Sequence, residues 1–270
     1  MKIITSIFEL NKAIKNFKNI GFVPTMGGIH DGHVSLIKAS QKKKSKTIVS
    51  IFVNPTQFNK KNDFKNYPRI IEKDINLLKK LNVHFLFLPT IKDIYGFKAK
   101  KFFLNKRDKI LCAKFRNGHF EGVLNVMNRL MSIIRSKDIF MGEKDFQQLF
   151  LIKKFLSKKF NAKIISCPII RSKNKVALST RNKLLNKKYI NKASEIAKLV
   201  SKLKKKSLKN NHKLILELPF HKYILEKKYD IKIDYLEFRD EKSLKLNNFK
   251  NKYRLFIAYN INKIRLIDNF

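Results

Sequence analysis

Ile20-Gly21-Phe22-Val23-Pro24-Thr25-Met26-Gly27-Gly28-Ile29-His30-Asp31-Gly32-His33 sets the architecture. Residues 20–25 form a short apolar, β-branched run, which predicts a strand. Gly27-Gly28 then lets the backbone turn through angles closed to other residues. From Val34 to Lys43 apolar residues recur at helical spacing. The unit is therefore strand, glycine turn, helix.

The same alternation continues along the chain. Strands are predicted over Thr47–Val53, His84–Pro89, Asp138–Met141 and Lys163–Ile170. Helices are predicted over Ile70–Leu81, Val123–Ile134 and Phe146–Phe160, and Ile7, Leu10, Ile14 and Phe17 also recur at helical spacing. Continuous apolar strands alternating with amphipathic helices imply an α/β fold, a parallel sheet with helices on both faces. Ligands of such sheets bind at the carboxyl ends of the strands, so the loops after Thr25, Val53, Met141 and Ile170 are the candidate functional loops. After Asn182 a lysine-rich, mostly helical stretch runs to Lys228, and Ile231–Phe238, Tyr253–Tyr259 and Lys263–Ile267 read as short strands. The boundary is placed near residue 174, giving domain 1–174 and a smaller C-terminal α+β domain, 175–270.

Composition narrows the class. Of 270 residues, 44% are apolar, enough for a core, and 61 Lys plus Arg face 20 Asp plus Glu, a net charge of +41. Such a field attracts nucleic acid, anionic membranes and phosphorylated small molecules. The lysines are scattered through nearly every segment, however, and a nucleic-acid site usually clusters them on one element. Specific nucleic-acid binding is therefore not expected, and Lys202–Lys206 is read as a solvated helix face. Cys112 and Cys167 stand far apart without neighbouring metal ligands, consistent with reduced thiols in a cytoplasmic protein. Signal-peptide and membrane-spanning patterns are both missing, so no membrane partner is expected.

Four constellations carry chemistry. In the first, His30 and His33 stand three residues apart at a helix start, where free amides and the helix dipole favour anions. Both could donate to phosphate oxygens as charge builds up. The same residues would also suit a glycine turn with two surface histidines, or two metal ligands lacking further partners. In the second, Asn54 and Gln57 offer neutral amides suited to the hydroxyls and carboxylate of a small substrate, on what is otherwise a strand followed by an Asn-Pro turn. In the third, Gly142-Glu143-Lys144-Asp145-Phe146-Gln147-Gln148 puts a lysine and an aspartate at a helix start, for a phosphate and a ribose or simply for capping. The fourth, Leu178-Ser179-Thr180-Arg181, supplies two hydroxyls and a guanidinium for a pyrophosphate leaving group, or an N-cap.

His-x-Gly-His after a strand resembles the signature of the nucleotidyltransferase superfamily, which uses a Rossmann-like sheet to bind ATP. The segments around residues 24–33, 50–69, 116–122, 142–152 and 168–182, in this order, resemble the pantothenate synthetase (pantoate–β-alanine ligase) family. Asp63–Arg69, Gly118-His119-Phe120 and Arg265–Asn269 belong to the same resemblance. It implies an AMP-forming ligase that joins pantoate to β-alanine through a pantoyl adenylate. ATP enters as a substrate with Mg2+, with no tightly bound cofactor and no protein metal site. ATP would be held by Met26, Gly27, Gly28, Ile29, His30, Asp31, Gly32 and His33, by Gly142, Glu143, Lys144 and Asp145, and by Ile170, Leu178, Ser179, Thr180 and Arg181. Of these, His30, His33, Lys144, Ser179, Thr180 and Arg181 are implied as catalytic. Gln57 and Gln148 would bind pantoate, and Asn54, Arg116 and His119 would lie near the substrates. A cytoplasmic homodimer and a C-terminal lid are expected.

The chain departs from the family in places. Ser-Ser-Arg becomes Ser179-Thr180-Arg181, Gly-His-Phe-Arg-Gly becomes Gly118-His119-Phe120-Glu121-Gly122, and the loop Lys98–Arg116 is basic rather than acidic and glycine-rich. Another nucleotidyltransferase would keep the histidine loop but need not keep Asn54-Pro55-x-Gln57 or Gln147-Gln148. A basic nucleic-acid-binding protein is the alternative from a different class.

Overall fold

The strand that opens the sequence reading, Ile20–Thr25 (β2), is the hub of a six-stranded parallel sheet. The structure is a computed structural model that describes residues 1–43, 46–59, 61–96, 101–208, 211–246 and 252–270. Side chains of residues 61–62 and 211–212, and the expected basic positions 98–100, lie outside that description. The chain divides into two units, Met1–Ile169 and Ile170–Phe270.

The first unit runs β1 (Lys2–Ile4), α1 (Ile7–Ile14), β2, α2 (Asp31–Lys42), β3 (Lys46–Ile51), α3 (Lys61–Lys65), α4 (Ile71–Lys80), β4 (Phe85–Phe87) and α5 (Ile91–Tyr95). It continues through α6 (Cys112–Phe115), α7 (His119–Ile134), β5 (Asp138–Gly142), α8 (Phe146–Ile152) and β6 (Lys163–Cys167). The strand order is β1-β4-β3-β2-β5-β6. From β2 the chain steps through β3 to β4 in one direction, and from β5 to β6 in the other. Right-handed crossovers then put α2 and α4 on one face and α8 on the opposite face. Leu36 and Ile37 of α2 and Leu78 of α4 pack on Val23, Val49, Leu86 and Phe140. Their strand neighbours Phe22, Ile48, Phe87 and Ile139 point the other way and are as fully buried.

The expected α/β sheet is the observed one, with differences at element ends. β1 escapes a periodicity reading, because three residues are too few to show a period. Helix α2 begins at Asp31 and α7 at His119, each earlier than the apolar spacing indicates, because polar first turns carry no hydrophobic signal. β6 stops at Cys167, since Pro168 cannot continue the ladder. The helix predicted to reach Phe160 passes from α8 into a π-helical turn, Lys153–Ser157.

The second unit contains α9 (Lys187–Lys206), α10 (Asn211–Tyr229) and an antiparallel meander of β7 (Lys232–Asp240), β8 (Tyr253–Ile261) and β9 (Ile264–Asn269). Ile196, Val200 and Leu203 of α9 and Leu214, Leu218 and Leu225 of α10 share a core with Ile233, Phe238, Leu255 and Ile257. The run Lys202–Lys206 ends α9, where positive charge complements the helix dipole. Its Lys204 ammonium sits 3.6 Å from the Tyr253 ring centroid.

Candidate active site

The sheet reverses its direction of growth between β2 and β5, and such switch points open a crevice at the carboxyl ends of the strands. Met26–His33 leaves β2 there, and Gly142–Asp145 leaves its neighbour β5 there. Two sequence-predicted segments more than a hundred residues apart thus come to adjacent strand ends.

Gly27 and Gly28 both have positive φ, +78° and +64°. Their turn is held from below: Gly27 N donates to Thr25 Oγ1 at 3.2 Å, and the Thr25 hydroxyl donates to Ser50 O at 2.8 Å. Gly28 N and Ile29 N donate to the two carboxylate oxygens of Asp74, at 2.7 and 2.8 Å. These two amides are therefore occupied within the chain.

The histidines cap the helix reciprocally. Gly32 N donates to His30 Nδ1 at 3.1 Å, and His30 N donates to His33 Nδ1 at 3.4 Å. The rings stand 4.1 Å apart between centroids. A ring nitrogen that accepts a hydrogen bond carries no proton, so each imidazole is the Nε2–H tautomer. The Gly32 and His30 amides are thus taken up by imidazole nitrogens, and the rings present Nε2–H donors in their place. Asp31 lies in the first turn of the helix.

After β3, Asn54 caps a 3-10 turn, Pro55–Gln57. It is 1% exposed, and its whole amide is engaged. Nδ2 donates to Gln57 Oε1 at 3.2 Å and to Gly122 O at 3.1 Å. Oδ1 accepts from Thr56 N, Thr56 Oγ1 and, at 2.5 Å, Tyr95 OH. Burial pushes the Tyr95 phenol pKa up, against smaller opposing effects of its bonds to Thr56 and Asn54, so the hydroxyl stays a donor. Asn54 is placed to hold Gln57 rather than to face a ligand, and Gln57 Nε2 points at the Met26 sulfur.

The backbone of Gln57 is gripped from the start of α7 and the turn before it. Arg116 Nη2 and His119 Nδ1 both donate to Gln57 O, at 3.1 and 2.8 Å. His119 Nε2 consequently accepts from Arg116 Nη1 at 2.8 Å. Gly122 explains the second glycine of its motif: a Cβ there would stand 2.7 Å from Thr56 O. Glu121, which replaces the family arginine, sits in the first turn of α7, where a negative charge is favourable.

Beyond β5, Glu143–Asp145 form a 3-10 turn leading into α8, with Lys144 Nζ 3.7 Å from Asp145 Oδ1. Of the paired glutamines on α8, Gln147 turns inward and donates to Ile110 O at 2.7 Å, while Gln148 is half-buried. Asp108, in the basic loop, is buried and paired with Lys154 Nζ at 2.6 and 2.9 Å. Both cysteines are buried and form no disulfide, and burial, helped by the Glu143 carboxylate, pushes the Cys167 thiol pKa up. That makes it a poor nucleophile.

Within the second unit, Leu178 N donates to Ile170 O at 3.0 Å. Ser179 caps the 3-10 helix Thr180–Leu184 through Arg181 N, at 3.3 Å, and Thr180 is buried. Between Ile170 and Leu178 the chain is also tied down: Arg171 makes a two-pronged ion pair with Asp268, at 2.6 and 2.8 Å, and stacks on Phe270. Among the described residues no group of three or more His, Cys, Asp or Glu is arranged to hold a metal ion. No described helix is long and apolar enough to cross a membrane.

Sequence reasoning missed Asp74 and Tyr95, and gave Asp268 no role beyond its place in the Arg265–Asn269 stretch. Each is a polar residue that a local pattern treats as surface, and its role exists only through partners far along the chain.

Known proteins resemble the chain over its whole length. A family model described as pantoate-beta-alanine ligase matches residues 2–270. The pantothenate synthetase of Flavobacterium psychrophilum is 39% identical, covering 97% of this chain and 98% of the relative. That of Francisella tularensis subsp. novicida is 40% identical, covering 99% and 95%. Among solved structures, the pantoate-beta-alanine ligase of Francisella tularensis, complexed with beta-gamma ATP and beta-alanine, is 38% identical with a TM-score of 0.82, covering 100% of this chain and 97% of that one. A pantothenate synthetase from Thermus thermophilus is 28% identical with a TM-score of 0.92, covering 100% and 99%.

Proposed function

The chain belongs to the pantoate–β-alanine ligase family, and on that basis we propose how its residues divide the work of the reaction. The enzyme condenses pantoate with β-alanine at the expense of ATP. A pantoate carboxylate oxygen attacks the α-phosphorus, the bond to the bridging oxygen breaks, and pyrophosphate leaves. The β-alanine amine then attacks the acyl carbon of the pantoyl adenylate, AMP departs, and the amine loses a proton. ATP enters as its magnesium complex, the ion being part of the substrate.

The observation that carries the assignment of the histidines is their reciprocal cap. With Nδ1 of both rings accepting backbone N–H groups, His30 and His33 meet the triphosphate as neutral Nε2–H donors. Their work is to stabilise charge as it grows on phosphate oxygens, not to deliver a proton. Lys144 adds a mobile point charge. Gly142, Glu143 and Asp145 shape the nucleotide side of the crevice together with Met26, Gly27, Gly28, Ile29, Asp31 and Gly32. Gln57 and Gln148 hold pantoate, and Asn54, Arg116 and His119 hold Gln57. In the second unit, Ile170 and Leu178–Arg181 are assigned to the nucleotide on the family resemblance. No step needs a protein nucleophile, so positioning and charge stabilisation supply the rate.

The decisive experiment follows pyrophosphate exchange into ATP with β-alanine omitted. Exchange that requires pantoate establishes the adenylate, whereas ATP turnover indifferent to pantoate would overturn the reading. A homodimer in the cytoplasm is part of the same proposal. A solution mass of one 270-residue chain would refute the dimer.

A further inference from the structure

Directly against the glycine turn lies a buried carboxylate that no constellation anticipated. Asp74, in the first turn of α4, is 5% exposed and takes the Gly28 and Ile29 amides on separate oxygens, at 2.7 and 2.8 Å. Hydrogen bonds to a charged acceptor are the short, strong kind, and two on successive amides fix two peptide planes at once. A neutral amide of the same shape has an NH2 group in place of the second oxygen, and that group would face the second backbone N–H donor to donor. The fit is mutual. Gly27 leaves room for the carboxylate, since an added Cβ would stand 3.0 Å from Asp74 Oδ2.

Two consequences follow for a site that handles phosphates. The loop amides at 28 and 29 are withdrawn from anion binding, which leaves the donors of His30 and His33 to do that work. The peptide planes that Asp74 fixes also lead straight into His30, so they set where helix α2 starts and where both Nε2–H bonds point. A buried negative charge is itself unfavourable near a bound anion, so its presence is best accounted for by the geometry it imposes.

Resting on the ligase reading, we propose that Asp74 is a positioning residue for adenylate formation, aiming the His30 and His33 donors through the Gly28 and Ile29 amides. It touches no reacting atom, and the second half-reaction, which involves no phosphate displacement by a carboxylate, does not need it.

The test separates the two half-reactions in Asp74→Asn, which keeps the volume and removes one acceptor. Pantoate-dependent pyrophosphate exchange at saturating ATP and pantoate is expected to fall about 100-fold, the scale of a misplacement near 1 Å. Aminolysis of supplied pantoyl adenylate by β-alanine is expected to stay within about threefold, as for an interaction used only in the first step. Asp74→Glu keeps both carboxylate oxygens but moves them by one methylene, and should show the same split with a smaller loss of exchange, so the proposal is still tested if Asp74→Asn does not fold. Undiminished exchange, or equal loss of both half-reactions in the folded variants, would overturn it. A wild-type chain without exchange would instead remove the ligase reading and this proposal with it.

Discussion

Gly122→Ala puts one methyl group where the structure has no room, and its effects can be worked from the contacts. The new Cβ would stand 2.7 Å from Thr56 O, 2.8 Å from Thr56 Oγ1 and 2.9 Å from Thr56 C. The first contact must open by about 0.7 Å to reach ordinary van der Waals distance near 3.4 Å, and a backbone carbonyl cannot swing aside as a side-chain tip would. A retreat of that size takes the Asn54 Nδ2 to Gly122 O bond from 3.1 Å beyond hydrogen-bond reach. Overpacking of this kind costs ~1–3 kcal/mol, offset by ~0.5–1 kcal/mol from replacing a glycine inside a helix. The net loss of about 1 kcal/mol lowers the melting temperature by roughly 2–4 °C for a unit of this size. Function should suffer more than stability. Gln57 hangs from Asn54, so losing one hydrogen bond, about 1.4 kcal/mol, should raise the KM for pantoate about tenfold. The assay is AMP release against pantoate concentration at saturating ATP and β-alanine, with a thermal melt alongside. A variant with unchanged pantoate KM would show that α7 does not hold the Gln57 turn, and the positioning argument would fail.

Three other perturbations have defined outcomes. His33→Ala should lower the rate of adenylate formation ~10²–10³-fold, while costing only about 1 kcal/mol of stability for the long cap bond to His30 N; comparable losses in pyrophosphate exchange and in thermal stability would mark a structural histidine. Asp268→Asn weakens the paired bonds to Arg171 in the second unit and should cost ~1.5–3 kcal/mol in denaturant unfolding, and an unchanged midpoint would deny that this ion pair stabilises the unit. For His84, burial first, then the charges of Lys46 and the N-terminus, lower the pKa below its ordinary 6.5, and its Nδ1 accepts from Thr47 N. The unfolded chain therefore binds a proton before the folded one does, so the contribution of His84 is complete above pH 6.5 and is lost as pH falls from there to the lowered folded value. Melts of wild type and His84→Asn between pH 7 and pH 5 should converge on acidification, and parallel curves would refute the assignment.

The helix–strand alternation was legible because each element writes its period over six to a dozen residues. β2 occupies Ile20–Thr25 as the apolar run predicts, and the three C-terminal strands fall within a few residues of their expected places. The histidine loop, the Asn54–Gln57 turn and Gly142–Asp145 were legible as chemistry, since glycine pairs, amides and charges at strand ends are local features. Their roles were less so. Asn54 reads from sequence as a ligand-facing amide, yet its amide is spent on Gln57, Thr56, Tyr95 and Gly122.

Local sequence is thus enough for a parallel α/β sheet, a small α+β partner and the identity of the residues at the strand ends. It is enough because periodicity, turn chemistry and motif spacing act between near neighbours. Tertiary packing was needed to set β5 beside β2, to bring Asp74 across 46 and 45 residues to the Gly28 and Ile29 amides, and to press Gly122 onto the Thr56 turn. Those contacts depend on strand order and on approach distances of a few tenths of an ångström, which no local pattern encodes. The tautomers of His30 and His33 belong with them, because the hydrogen bond that selects each nitrogen exists only once helix α2 has formed at its observed start.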